Sequence, residues 1–141
     1  MTNIIITNNK YVADKFKDKF NIEYFDNKDY MEILEYVRNK VHSGHELLTH
    51  PLSGSIKPNE TPYKSIIVSE TTGSLDESGL RIIEESILTA RKFTVDKRTP
   101  NWTESILDDF RVIDLSLMEN VIEKLGHKWS PNPAYKERSN F

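Results

Sequence analysis

The spacing of apolar residues changes several times along the chain, and each change predicts an element. Residues 3–7 (NIIIT) form a continuous β-branched run, which predicts a short buried strand. The asparagines after it predict a helix capped by Asn8 or Asn9, with Val12, Phe16 and Phe20 at a four-residue spacing. Residues 21–25 (NIEYF) alternate and predict a second strand. Asn27 then predicts the cap of a helix whose apolar positions are Tyr30, Ile33, Leu34, Val37 and Val41, with Gly44 as its left-handed stop. Residues 46–49 predict a third strand, and residues 65–69 (SIIVS) a fourth. Three capping-box signals follow at 74–77 (SLDE), 101–104 (NWTE) and 116–119 (SLME), the last ahead of Val121, Ile122, Leu125 and a stop at Gly126. Residues 111–115 are compatible with strand or helix.

Strand and helix alternate through the first half. This predicts a small single α/β domain over residues 1–126, a three-layer sandwich with a mostly parallel sheet of about four strands and a helical C-terminal part. Residues 127–141, with Pro131 and Pro133, are expected to form a loosely held tail. One feature resists the parallel arrangement. The link from His50 to Tyr63 carries no helical pattern, whereas a parallel crossover needs one, so strand four either pairs antiparallel or is reached by an ordered loop across the sheet.

That link belongs to a segment of unusual composition. Residues 42–64 (HSGHELLTHPLSGSIKPNETPYK) hold three of the chain's 4 histidines, three of its 6 prolines and two of its 5 glycines. Pro51, Pro58 and Pro62 fix φ and restrict the residues before them, so this loop is preorganised. With strand order 2-1-3, the carboxyl ends of strands one and three flank a topological switch point, where open α/β sheets bind ligands. Asn8, Asn9 and His50 are the candidates at those ends. Ser53, Gly54 and Ser55 supply backbone N–H groups suited to an anion, with Lys57 as a nearby charge and His50 as a donor or acid/base. No phosphate-loop spacing supports the set. His42, His45 and His50 lack a familiar metal spacing, so no metal is expected. Ser53 and Ser55 lie outside any nucleophile elbow, and the catalytic assignment stays open with His50 as the candidate.

Composition narrows the classes further. Apolar residues make up 37% and charged residues 29%, with a formal net charge of −3 and scattered basic residues, which predicts a folded protein that does not bind nucleic acid. The longest apolar runs span three residues, such as Ile4–Ile6, so neither a membrane helix nor a signal peptide is expected, and the protein is read as cytoplasmic. There is no cysteine, which excludes disulfides, thiol nucleophiles and dithiol redox chemistry on this chain. No cofactor is expected.

The 42–69 segment, the opening NIIITNN and the later DFRVIDLSLMENVIE together resemble the GrdX family, over roughly residues 3–125. These are small proteins encoded with the glycine, sarcosine and betaine reductase systems of amino-acid-fermenting anaerobes. The resemblance implies an accessory role near a selenoprotein-dependent reductase that yields acetyl phosphate. It implies reductase-complex proteins as partners and brings no functional residues with it. The preferred expectation is a non-catalytic accessory protein that binds a reductase component or a small anionic metabolite through residues 42–64. The alternatives are an enzyme acting on an acyl phosphate or amino-acid derivative with His50 as acid/base, and a structural or regulatory module.

Overall fold

The computed structural model describes residues 3–52, 57–96 and 99–128. The elements run β1 (Ile4–Thr7), α1 (Lys10–Phe16), β2 (Asn21–Tyr24), α2 (Tyr30–His42), β3 (His45–Leu47), β4 (Ser65–Thr72), α3 (Glu77–Asp96) and α4 (Glu104–Lys128). Among the described residues the strands form one sheet in the order β2-β1-β4-β3. The β1/β2 pair is parallel, with Ile5 opposite Ile22. β4 is antiparallel to β1, pairing Thr7 with Ser65, and antiparallel to β3, pairing Leu47 with Val68.

The expectation of a mostly parallel sheet is therefore corrected to a mixed sheet with one parallel pair. The reason lies in the link: among its described residues no crossover helix joins β3 to β4, and the two strands pair antiparallel. β4 then lies between β1 and β3, and the predicted 2-1-3 adjacency does not form.

The strands read as continuous apolar runs because both faces of the sheet are covered. Ile4, Ile6, Ile66 and Val68 pack with Tyr30, Ile33, Leu34, Val37 and Val41 of α2 and Ile83, Ile87 and Ala90 of α3. On the opposite face, Ile5 and Ile67 pack with Val12 and Phe16 of α1 and Met118 of α4. Burying one such aliphatic side chain contributes roughly 1.5–3 kcal/mol, so the alternating isoleucines of β1 anchor both helical layers.

The caps explain the element boundaries. Asn9, not Asn8, caps α1, its side chain accepting from the Tyr11 N–H. Asp29 rather than Asn27 caps α2, in a capping box completed by Glu32. Gly44 ends the turn after α2 at φ 103°, as expected, and a Cβ there would stand 2.7 Å from the Gly73 carbonyl oxygen. α3 is capped by Asp76 rather than Ser74: Oδ1 of Asp76 accepts from the Gly79 N–H, while Oδ2 accepts from the Leu47 N–H and ties the helix to β3. α4 runs unbroken through residues 111–115 and 116–119 and includes Gly126. Ser116 and Glu119 are exposed, and Glu119 pairs with Lys15 at 3.6 Å, so their spacing marks one helix face and not a start. His127 and Lys128, assigned above to the tail, belong to α4; the rest of the expected tail, 129–141, lies outside the described residues.

Candidate functional site

α1 leaves β1 toward one face of the sheet, and α2 leaves β2 toward the other. Such a divergence opens a crevice at the carboxyl ends of the two parallel strands. A cleft of about 350 Å³ lies there, lined by Asn8, Asp26, Asn27, Lys28, Asp29, Glu32, Pro62 and Tyr63. Asn8 clamps its walls together. Its Nδ2 donates to the carbonyls of Lys28 (2.9 Å) and Pro62 (2.8 Å), and its Oδ1 accepts from the Lys64 N–H (2.9 Å).

The charge of the cleft is one-sided. Asp26, Asp29 and Glu32 contribute carboxylates, while the Lys28 ammonium lies 5.1 Å from the Phe25 ring centroid and 5.6 Å from that of Tyr36. Asp29 and Glu32 also accept one another's backbone N–H groups in the capping box.

Beside the cleft, a buried polar junction joins β1, β4 and α4. The Asn9 N–H donates to Thr7 Oγ1 (2.9 Å), and Thr7 and Ser65 hydroxyls are 2.6 Å apart. Ser65 donates to Asp114 Oδ2 at 2.8 Å, so the Thr7 hydroxyl donates to Ser65 and the chain of donors ends on the carboxylate. Asn9 Nδ2 donates to the same oxygen at 3.0 Å and to the Arg111 carbonyl at 2.9 Å. Burial raises the Asp114 pKa, and the donors from Asn9 and Ser65 and the charge of Lys64 oppose that rise.

Lys64 is 6% exposed. Its ammonium lies 5.6 Å from the Tyr30 ring centroid, and burial pushes its pKa down to about 8 against the opposing attraction of Asp114. The Tyr30 phenol is raised by the same cause. Arg111 sits 5.5 Å from each of the Tyr11 and Tyr63 rings. It donates to the Tyr63 hydroxyl at 2.6 Å and pairs with Glu104 and Asp108; its buried Nε has no hydrogen-bond partner among the described residues. Tyr11 donates to Asp108, which is thus tied into the junction. Trp102 reaches the same segment, its Nε1 donating to the Glu60 carbonyl at 2.7 Å and its ring 5.7 Å from Phe110.

Asn8 and Asn9 thus stand at the end of β1, where sequence reasoning placed them. His50 is exposed, and its Nδ1 accepts from the Leu52 N–H at 3.1 Å. No described hydrogen bond joins it to Asn8 or Asn9. Lys57 is exposed, and Ser53, Gly54 and Ser55 lie outside the described residues. With β4 beside β1, the residues that meet the end of β1 are Pro62, Tyr63, Lys64 and Ser65, which corrects the proposed crevice between strands one and three. His45 Nδ1 lies 2.7 Å from the Ser69 carbonyl, and His42 sits in the last turn of α2, the favourable end for a cation.

Sequence reasoning missed Lys64, Arg111 and Asp114. A signal existed for two of them. Arg111, Asp114, Met118, Val121, Ile122 and Leu125 share one stripe at helical spacing, so charged residues continued an apolar face.

The family model for GrdX-like protein matches residues 4–123, and the chain belongs to that family. No curated protein and no solved structure matches it.

Proposed function

We propose that this GrdX-like chain is a non-catalytic accessory protein of a glycine, sarcosine or betaine reductase system, working in the cytoplasm and engaging a reductase component through the segment before β4. One observation carries the reading: residues 60–64 are pinned from three sides. Asn8 holds Pro62 and Lys64, Trp102 holds the Glu60 carbonyl, and Arg111 holds the Tyr63 hydroxyl. A segment already fixed in one conformation loses little entropy on binding, which favours recognition of a partner surface. Tyr, Trp and Arg are also the side chains that dominate interface energetics. A small anionic metabolite is the less supported ligand, because the cleft presents carboxylates and its lysine is turned onto two rings.

Purified reductase subunits, titrated against the wild type and against Tyr63→Ala and His50→Ala, test this. The expected result is a complex that Tyr63→Ala weakens by about ten-fold or more. Absence of any complex, or equal affinity of all three proteins, refutes it. Acid/base chemistry at His50 draws less support, since among the described residues the exposed ring bonds only to the local Leu52 N–H.

A further inference from the structure

The outer face of α3 carries apolar residues that the core does not use. Ile83, Ile87 and Ala90 turn inward to the sheet. On the opposite side Arg81, Glu85, Leu88, Lys92 and Val95 follow one another at alternating intervals of four and three residues, and all are exposed. Leu88 is 58% open to solvent and Val95 78%, two turns further along the same line. A lone exposed leucine means little. Apolar side chains repeated at a seven-residue spacing mark a seam along which helices pair.

The charges on this face are ordered. Glu84 and Glu85 lie one turn before Leu88, and Arg91 and Lys92 one turn after it. Glu84 and Arg91 reach Arg38 and Glu35 of α2 at 3.9 and 3.4 Å. Among the described residues Arg81, Glu85 and Lys92 have no ion-pair partner. An acidic turn on one side of an apolar centre and a basic turn on the other is complementary to its own reverse. A parallel copy would set Glu85 against Glu85 and Lys92 against Lys92, whereas an antiparallel copy sets acid against base.

We propose that the outer face of α3 is the docking surface for a second copy of this chain, held antiparallel about a two-fold axis at Leu88. Residues at equal distances on either side of the axis then meet. Leu88 meets Leu88 of the second copy, Glu84 meets Lys92, and Glu85 meets Arg91. Val95 lies along the aliphatic stem of Arg81. The axis makes each charge contact twice, so ion pairs close around one apolar centre. Exposed ion pairs contribute little singly, and one helix face per copy is a small interface, so the dimer is weak and weakens further with salt. α4, which braces the segment before β4, covers the opposite face of the sheet. The pairing therefore goes beyond the accessory role and does not depend on it.

Sedimentation of the full chain from micromolar to millimolar concentration tests the surface. The wild type is expected to move from the mass of one chain toward that of two, and Leu88→Ala to need about ten-fold more protein for the same change. Two charge variants, Glu84→Lys with Glu85→Lys and Arg91→Glu with Lys92→Glu, each set like charges across the axis and are expected to stay monomeric. Both sacrifice only an exposed link to α2, so their circular dichroism is expected to match the wild type. Mixed together, they again set acid against base at every position, and a mixed dimer is expected to form. A wild type that stays monomeric throughout, as a face used by a different protein would give, overturns the proposal. So does a dimer that survives either charge variant, or a mixture that stays monomeric.

Discussion

The burial of Lys64 has a thermodynamic signature. Its pKa falls from 10.5 in the unfolded chain to about 8 in the fold. Between those values the unfolded state binds more protons than the native state, so stability rises with pH. The sign is opposite to that of a lysine in an ion pair. Below about pH 8 the fold carries the full cost of the buried charge, about 3 kcal/mol for this displacement, and deprotonation relieves it. Between pH 7 and pH 9.5 the gain is about 2 kcal/mol. Other groups act later and in the opposite direction. Tyr11, Tyr24 and Tyr36 are raised by Asp108 (Tyr11) or chiefly by burial (Tyr24, Tyr36), and Lys40 is raised by Glu23, so each favours the fold until pH passes about 10. The assay is the unfolding free energy in urea at stepped pH for the wild type and Lys64→Met. Subtracting the variant removes every group except the lysine, and the difference is expected to move toward the wild type by about 2 kcal/mol across that interval. Parallel curves would refute the buried-charge account, as would a difference moving the other way.

Three further substitutions probe the frame around the cleft. Asn8→Ala strands the Lys28 and Pro62 carbonyls and the Lys64 N–H at once, so a loss of about 2–4 kcal/mol is expected in urea denaturation. Gly44→Ala forces a side chain into φ 103° against the Gly73 carbonyl and is expected to destabilise by more than about 1 kcal/mol, read as a lower thermal midpoint. Asp29→Ala breaks the capping box at the cleft rim and is expected to cost about 1 kcal/mol, with faster amide exchange in the first turn of α2.

What the sequence revealed divides along a physical line. The apolar runs of β1 and β4 and the stripe of α2 were readable because each is a local pattern whose period sets its structure. The left-handed Gly44 was readable for a similar reason, since few other residues accept that φ. Strand order was not local. Nothing in residues 3–7 states that β4 will lie beside them. Only the missing helix between His50 and Tyr63 hinted at antiparallel pairing, and following that hint would have removed the 2-1-3 order. The site inherited the same error: Asn8 and Asn9 were found because they follow a strand directly, whereas Lys64 was passed over as the residue before one. Asp114 and Arg111 were hidden by the uncertainty over residues 111–115, since a polar residue on a buried stripe is visible only once the helix is accepted.

The two halves of α4 are joined to the sheet by different forces. Its C-terminal half packs Leu115, Met118, Val121, Ile122 and Leu125 against Ile5, Val12 and Ile67. Such contact is strong and tolerant of small rotations, because burial has no preferred direction. The preceding turns meet the sheet through Asp114 and Arg111, whose bonds to Asn9, Ser65 and Tyr63 are directional. An apolar joint of equal volume would be as stable or more so, since desolvating charged groups offsets much of their attraction. Stability alone therefore does not account for a carboxylate at Asp114. Orientation does: the polar joint fixes the rotation of α4 about its axis, so that Arg111 meets Tyr63 and Trp102 meets Glu60. The segment before β4 is held in one shape because the helix that braces it is itself held at one angle.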